Sequence, residues 1–107
     1  MEKKHRKYGN VPTRGYHSKK ESDRARDLWL LNEAGLIFGL QEQVKFELIP
    51  PQSGEHRNER SASYIADFVY HRDGKMVVED VKGKRTPLYI WQRKLMLHVH
   101  GISIFET

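Results

Sequence analysis

Two apolar runs joined by a short turn occupy the middle of the chain: YIADFVY at residues 64–70, RDGK at residues 72–75 and MVVEDVKG at residues 76–83. Both runs are rich in β-branched and aromatic residues, and an Asp-Gly pair between such runs is a strong signal for a tight hairpin turn. Successive side chains of a strand point to opposite faces. The second strand therefore places Asp80 and Lys82 on the face of Val78, and Glu79 on the opposite face.

A helix is predicted ahead of this hairpin. Ser18-Lys19-Lys20-Glu21 matches the capping box, in which the Ser and Glu side chains satisfy free backbone donors of the first turn, and Gly35 is a natural end. Glu21, Ala25, Leu28 and Asn32 follow helical spacing and share one face. Glu21 thus begins the inward face of the helix, where its carboxylate can act as the cap, as a site residue, or as both.

The remaining segments complete an α/β order. A strand is predicted at residues 43–48, an exposed loop at residues 52–61, a helix from Thr86-Pro87 to Gly101, and a last strand at residues 102–105. The first three strands can form an antiparallel meander, and the last can return beside residues 76–82 through a right-handed helical crossover. The prediction is a mixed four-stranded sheet with helices on both faces and the hairpin strands in its centre.

Charge is unevenly distributed along the 107 residues. The net charge is +5, but residues 1–20 hold seven basic residues against one acid, which leaves the other 87 residues at −1. We therefore predict a basic, flexible N-terminal arm at residues 1–17 and one folded domain at residues 18–107. A basic arm suits a polyanion such as DNA, and the alternative is a solvated tail. The candidate DNA-binding residues are Lys3, Lys4, Arg6, Lys7, Arg14, Lys19 and Lys20.

Composition excludes several classes of protein. There is no cysteine, which removes disulfide frameworks and thiolate zinc sites, and the six histidines show no zinc-binding spacing. No apolar run approaches the roughly 18 to 20 residues of a membrane span. We expect a soluble protein of the cytoplasm.

The hairpin brings acidic side chains together. Asp67 and Asp80 lie on adjacent strands, with Lys82 on the face of Asp80. Convergent carboxylates suit a hard cation such as Mg²⁺ or Mn²⁺, and the backbone carbonyl of Val81 could add an oxygen ligand. The alternative for Asp80 and Lys82 is an ordinary ion pair at an exposed edge. Glu79, on the other face, is expected at the rim or in a structural role.

The ordered set of motifs resembles the PD-(D/E)xK nuclease superfamily, whose restriction-endonuclease-like core has the order αβββαβ. It is also similar to a family of small phage and prophage proteins of unknown function assigned to that superfamily. The segments that carry this second resemblance are Lys7-Tyr8-Gly9-Asn10, Ser18-Lys19-Lys20-Glu21, Phe46-Glu47-Leu48, Tyr64-Ile65-Ala66-Asp67-Phe68 and Val78-Glu79-Asp80-Val81-Lys82-Gly83.

The resemblance implies a role for each matching residue. Glu21, Asp67 and Asp80 would be metal ligands, and Lys82 would be the catalytic lysine. Ala66 stands where the superfamily's name has proline. Some members also use a residue of the following helix, and here Tyr89, Gln92, Arg93 and Lys94 all remain candidates.

The resulting hypothesis is a Mg²⁺-dependent DNA endonuclease, encoded by a phage or prophage, that could act on branched DNA as Holliday junction resolvases do. So small a domain suggests a homodimer, with Trp29, Phe38 and Trp91 as candidate contact anchors and core packing as the alternative for at least two of them. The alternative function is a non-catalytic DNA-binding or phage–host interaction protein on the same fold.

Overall fold

A computed structural model describes Tyr16 and residues 18–107. Two helices and six strands follow one another along these residues: α1 (Lys19–Glu33), β1 (Phe38–Ile49), β2 (Gln52–Ser53), β3 (Asn58–Glu59), β4 (Ala62–Arg72), β5 (Lys75–Asp80), α2 (Pro87–Leu95) and β6 (Phe105–Glu106). A π-helical turn, Met96–His100, extends α2.

The main sheet is mixed and four-stranded, as the sequence predicted. Its order is β1-β4-β5-β6, with β4 antiparallel to both β1 and β5, and β6 parallel to β5. A parallel neighbour needs a crossover, and α2 lies in the connection between β5 and β6. The two strands of the opening hairpin, β4 and β5, are therefore the central strands.

The β4–β5 hairpin confirms the turn predicted from Asp-Gly. Arg72 pairs with Lys75 across a two-residue loop formed by Asp73 and Gly74. Both loop residues have positive φ, at 53° and 78°, as the favoured type I′ turn requires. Register then runs regularly down the hairpin until Phe68 pairs with Glu79.

Several element boundaries differ from those predicted. Strand β1 begins at Phe38, not at residue 43, because backbone pairing with β4 continues past the alternating segment. The predicted exposed loop contains the small hairpin β2–β3. Strand β5 ends at Asp80 and β6 starts at Phe105, so the segments after β5 and after α2 are irregular where strand was expected.

Both helix starts follow their local signals. The Ser18 side chain accepts a hydrogen bond from the Glu21 backbone N–H at 3.1 Å, and Thr86 does the same for Tyr89, with Pro87 in the first turn. Gly35, with φ of 77°, follows the end of α1. The predicted N-caps at Ser18 and Thr86 are confirmed.

The sheet is covered on both faces. On one face α1 contributes Ala25 and Leu28 to a buried cluster completed by Ile37, Leu40, Phe68 and Tyr70. On the other face α2 and its extension contribute Tyr89 and Met96 to a cluster completed by Leu48, Tyr64, Ala66, Val69, Val78 and Ile104. Burial of these side chains supplies the main driving force for folding. Tyr16 also packs against the α1-side cluster.

Three large aromatic side chains lie outside these clusters. Trp29, Phe38 and Trp91 are 41%, 62% and 64% exposed. The alternative of core packing for at least two of them is wrong. Within the part of the chain that the structure describes, no helix is long and apolar enough to cross a membrane.

Candidate functional site

Strands β4 and β5 stop pairing at one end of the hairpin, and we call this end the fork. Phe68 and Glu79 form the last paired position, and the next position along the same register would bring Asp67 opposite Asp80. The Val81 backbone N–H instead donates to Asp67 Oδ2 at 2.8 Å. The two carboxylates predicted as ligands therefore lie together at the fork, beside the Val81 backbone.

Asp80 is held from two sides. It is only 5% exposed, its Oδ2 accepts a short hydrogen bond from the Tyr64 hydroxyl, and its Oδ1 lies 3.2 Å from Lys82 Nζ. The same ammonium lies 3.8 Å from the centroid of the Tyr89 ring, a cation–π contact. Burial and the Asp80 charge raise the pKa of Tyr64, which keeps its hydroxyl a donor. The expectation that Asp80 and Lys82 share a face is confirmed, and the pair is largely buried.

Glu21 reaches the same region from α1. It is 4% exposed, on the inward face with Ala25 and Leu28, as its helical spacing predicted. Its backbone N–H is capped by Ser18, and its Oε2 accepts a hydrogen bond from Gln43 Nε2 at 3.1 Å. The side chain is therefore directed towards the sheet.

The carboxylates of Glu21, Asp67 and Asp80, which together form the carboxylate cluster, interact electrostatically. The pKa of Asp67 is raised to about 8, first by burial and then by the negative charges of Glu21 and Asp80; the Val81 N–H opposes this rise. A hydrogen bond with Asp80 adds to it. Near neutral pH the cluster thus holds a proton that an isolated aspartate would have lost.

This donor set fits a hard divalent cation. Glu21, Asp67, Asp80 and the Val81 carbonyl offer oxygen ligands, the type that Mg²⁺ prefers. After burial, the negative charges of Glu21 and Asp80 raise the pKa of Asp67, and a cation would neutralise such charge. Among residues 16 and 18–107, no three His, Cys, Asp or Glu side chains are close enough together to hold a metal ion as they stand. Tyr64, Val81 and Gln43 each donate a hydrogen bond to one oxygen of Asp80, Asp67 and Glu21, respectively.

Gln43 is a member of this cluster that the sequence did not reveal. It lies in the interior of β1 with φ of 55°, a left-handed conformation that non-glycine residues rarely adopt. Nothing in a glutamine within an alternating strand signals such a conformation. Its amide nevertheless reaches Glu21 from β1, a strand in which no functional residue was predicted.

Glu79 lies on the opposite face, as predicted, but not at a rim. Its side chain is fully buried and accepts hydrogen bonds from Arg24 Nε at 2.5 Å, Arg24 Nη2 at 3.1 Å, Tyr70 at 2.6 Å and Thr107 at 3.0 Å. Such a set satisfies a buried carboxylate. Glu79 therefore links α1 to the sheet through Arg24, which lies one helical turn after Glu21.

The helix after β5 offers one direct contact with the cluster. Of the four candidates, Tyr89 lies against Lys82 and donates its hydroxyl to Glu106 at 2.6 Å. Gln92 donates to the Ser63 carbonyl, Arg93 pairs with Glu106, and Lys94 lies near the Trp91 ring. Tyr89 is thus the candidate that touches the lysine.

Two of the predicted DNA-binding residues fall within the described chain. Lys20 Nζ donates to the Lys82 carbonyl at 3.0 Å, beside the cluster, and Lys19 pairs with Asp23 at 2.9 Å on the surface. The other five, Lys3, Lys4, Arg6, Lys7 and Arg14, lie outside the described residues.

Comparison with known proteins places the chain in a family. No curated protein and no solved structure matches it. A family model described as protein of unknown function (DUF1064) matches residues 1–101, which include the basic arm, both helices and the carboxylate cluster. The chain belongs to this DUF1064 family.

Proposed function

We propose that the protein is a divalent-cation-dependent DNA endonuclease that hydrolyses phosphodiester bonds. One observation carries the proposal: carboxylates from α1, β4 and β5 interact at a fork in the sheet, next to a lysine ion-paired with one of them. Buried charges of one sign are costly unless they are paired or bind a cation. Lys82 offsets the charge of Asp80, and a bound cation would offset the charge that Asp67 and Glu21 add.

The residues that would hold the cation are Glu21, Asp67, Asp80 and the Val81 carbonyl. When bound, Mg²⁺ or Mn²⁺ would neutralise charge on a scissile phosphate and lower the pKa of a water. The chain's part is to hold the carboxylates near one another at the fork. Asp67 is anchored by the Val81 N–H and Asp80 by Tyr64, so both carboxylates are oriented before any ligand arrives.

Lys82 is suited to orient the attacking water and to stabilise charge that grows on the phosphate in the transition state. Its ammonium is placed by the Asp80 carboxylate on one side and the Tyr89 ring on the other. The ring contact is electrostatic and leaves ammonium N–H groups available to donate. Lys82 can therefore contact a substrate while Tyr89 keeps it in place.

DNA is the polyanion that these features suit best. The basic arm and Lys20, beside the cluster, would neutralise phosphates on the approach to the site. The resemblance of the motifs to the PD-(D/E)xK superfamily and to small phage proteins supports, together with this basic charge, a restriction-endonuclease-like core and a phage-encoded enzyme working in the host cytoplasm. A homodimer acting on branched DNA is part of the proposal, with the exposed Trp91 as a candidate anchor.

A nicking assay tests the proposal. Wild type is incubated with supercoiled and branched DNA in Mg²⁺ or Mn²⁺, and compared with Asp80→Asn and Lys82→Ala. We expect each variant to lose about 10²-fold or more of the rate, the usual scale for removing such a group. The matched controls are Asp73→Asn and Lys75→Ala, which alter exposed residues of the same charge at the hairpin turn, away from the cluster, and should retain activity.

A non-catalytic DNA-binding protein is the second candidate. It is favoured by the fact that both Asp80 oxygens already have partners within the protein, Tyr64 and Lys82. The same assay separates the two functions. Wild type that binds DNA but nicks no substrate in either cation contradicts the nuclease proposal and supports this one.

A further inference from the structure

Gln43 holds a costly backbone conformation in the middle of a long strand. Its φ of 55° lies in the left-handed region, where the side chain of an L-residue crowds the backbone. Asp73 is the only other non-glycine residue with positive φ in the described chain, and it lies in a tight turn where that conformation is expected. Residues held in such conformations outside turns cluster at functional sites.

The conformation of Gln43 coincides with a reversal of side-chain direction in β1. Before it, Leu40 belongs to the α1-side cluster; after it, Val44, Phe46 and Leu48 pack on the α2 side. All four residues have even numbers, so a regular strand would direct them to one face. The reversal therefore takes place between Leu40 and Val44, around Gln43.

Strand β4 reverses at the position facing Gln43. Ala66 belongs to the α2-side cluster and Phe68 to the α1-side cluster, so the change occurs at Asp67. The pairing register between β1 and β4 is the same before and after this position, since Glu42 pairs with Phe68 and Val44 pairs with Ala66. Two matched reversals keep the pairing and the cores intact, whereas one alone would have put apolar side chains on the wrong face.

The Gln43 side chain then links this irregularity to the helix. Its Nε2 donates to Glu21 Oε2 at 3.1 Å, which connects β1 to the one carboxylate of the cluster that is not carried by the sheet. A helix can slide or rotate on a sheet more easily than neighbouring strands can move apart. A hydrogen bond at this point fixes Glu21 relative to Asp67.

We propose that Gln43 is a positioning residue of the carboxylate site: its left-handed backbone lets Asp67 lie at the fork, and its amide orients Glu21 for a divalent cation. This inference rests on the proposed function, because it assigns Gln43 to the cation site. Gln43 touches no reacting group and acts through Glu21 and Asp67.

Two substitutions separate the amide contact from the backbone conformation. Gln43→Asn keeps an amide and a residue type that tolerates positive φ, but its side chain is one methylene shorter and cannot reach Glu21. Gln43→Gly removes the side chain and relieves the backbone. The matched control is Asp73→Gly, which relieves the same φ in an exposed turn.

Mn²⁺ affinity by titration calorimetry and the midpoint of thermal unfolding are measured on each full-length variant. We expect Mn²⁺ affinity to fall about 10-fold or more in both Gln43 variants, as when a partner of a metal ligand is removed. The unfolding midpoint of Gln43→Gly should equal or exceed that of wild type, and Asp73→Gly should bind Mn²⁺ as wild type does. A purely structural residue would lower stability without changing affinity.

Three results overturn the inference, and they differ from one another. If wild type binds Mn²⁺ and both Gln43 variants bind it equally well, Gln43 has no positioning role and the proposed function stands. If Gln43→Gly lowers the midpoint with affinity unchanged, Gln43 is structural. If wild type binds no Mn²⁺, the proposed cation site fails and the inference fails with it.

Discussion

Replacing Asp67 by asparagine should make the cation-free protein less sensitive to pH. The pKa of Asp67 in the folded protein is about 8, against an ordinary value of 3.8, because of burial and the charges of Glu21 and Asp80. Between these two values the folded state keeps a proton that the unfolded state has released. The Asp67 contribution to the free energy of unfolding is therefore fully present below about pH 4 and is lost as the pH rises to about 8.

The size of the effect follows from the shift. The slope of the free energy of unfolding is at most about 1.4 kcal/mol per pH unit for one proton, so the limit over this window is about 5 kcal/mol. Asp67 is partly exposed, so solvent screens its charge and reduces the loss. We therefore expect about 2 kcal/mol. Asparagine mimics the protonated acid and can still accept from the Val81 N–H.

Urea unfolding at pH 4 and at pH 8 in a chelating buffer measures this difference. Wild type should lose about 2 kcal/mol more than Asp67→Asn between the two pH values, while the exposed control Asp73→Asn follows wild type. Excess Mg²⁺ at pH 8 should instead stabilise wild type more than Asp67→Asn. A ligand at 100 times its Kd stabilises by about 2.7 kcal/mol, and Asp67→Asn would lack a ligand oxygen. Parallel pH profiles for wild type and Asp67→Asn would refute the reasoning.

Three further predictions concern other parts of the fold. Glu79→Gln leaves the Arg24 guanidinium without its charged partner and should cost about 3 kcal/mol in urea unfolding; a loss under about 1 kcal/mol would contradict this. Gly54→Ala places a Cβ 2.6 Å from a facing backbone carbonyl, so amide shifts should change in the β2–β3 hairpin and not at the cluster. The pKa of Glu106 is lowered to about 2, most of all by the hydrogen bond from Tyr89. Glu106→Gln should therefore lose less stability than wild type when the pH falls from 4.5 to 2, and equal losses would contradict this link.

The hairpin could be predicted from the sequence because its signals are local. An Asp-Gly pair sets a two-residue turn, the turn sets the register, and the register sets the face of every side chain. These steps correctly separated Asp80 and Lys82 from Glu79 and brought Asp67 near Asp80. The helix caps at Ser18 and Thr86 were predicted by the same kind of local rule.

The reversal at Gln43 could not be predicted, for a reason that lies in the sheet itself. Alternation identifies a face only when one face is polar, and this sheet is covered by helices on both. Leu40, Val44, Phe46 and Leu48 are apolar, but the residues between Leu40 and Val44 are the polar run Gln41-Glu42-Gln43, which identifies neither face. The sequence therefore does not show where the strand reverses, and the contact with Glu21 leaves no trace in it.

The Arg24–Glu79 pair escaped prediction because its members are 55 positions apart and belong to different elements. Helical spacing places Arg24 one turn from Glu21, but it does not say which strand residue Arg24 will meet. Opposite charges are also common on solvated surfaces. What identifies this pair as structural is burial, which only the folded chain shows.

The central claim is that Glu21, Asp67 and Asp80 form a cation site, and a crystal soaked in Mn²⁺ tests it most directly. An anomalous difference map locates manganese without reference to activity or substrate. The proposal predicts a peak within coordination distance of Asp67 and Asp80, with Glu21 turned towards it and no such peak in crystals of Asp80→Asn. Wild-type crystals with no manganese at the fork would contradict it.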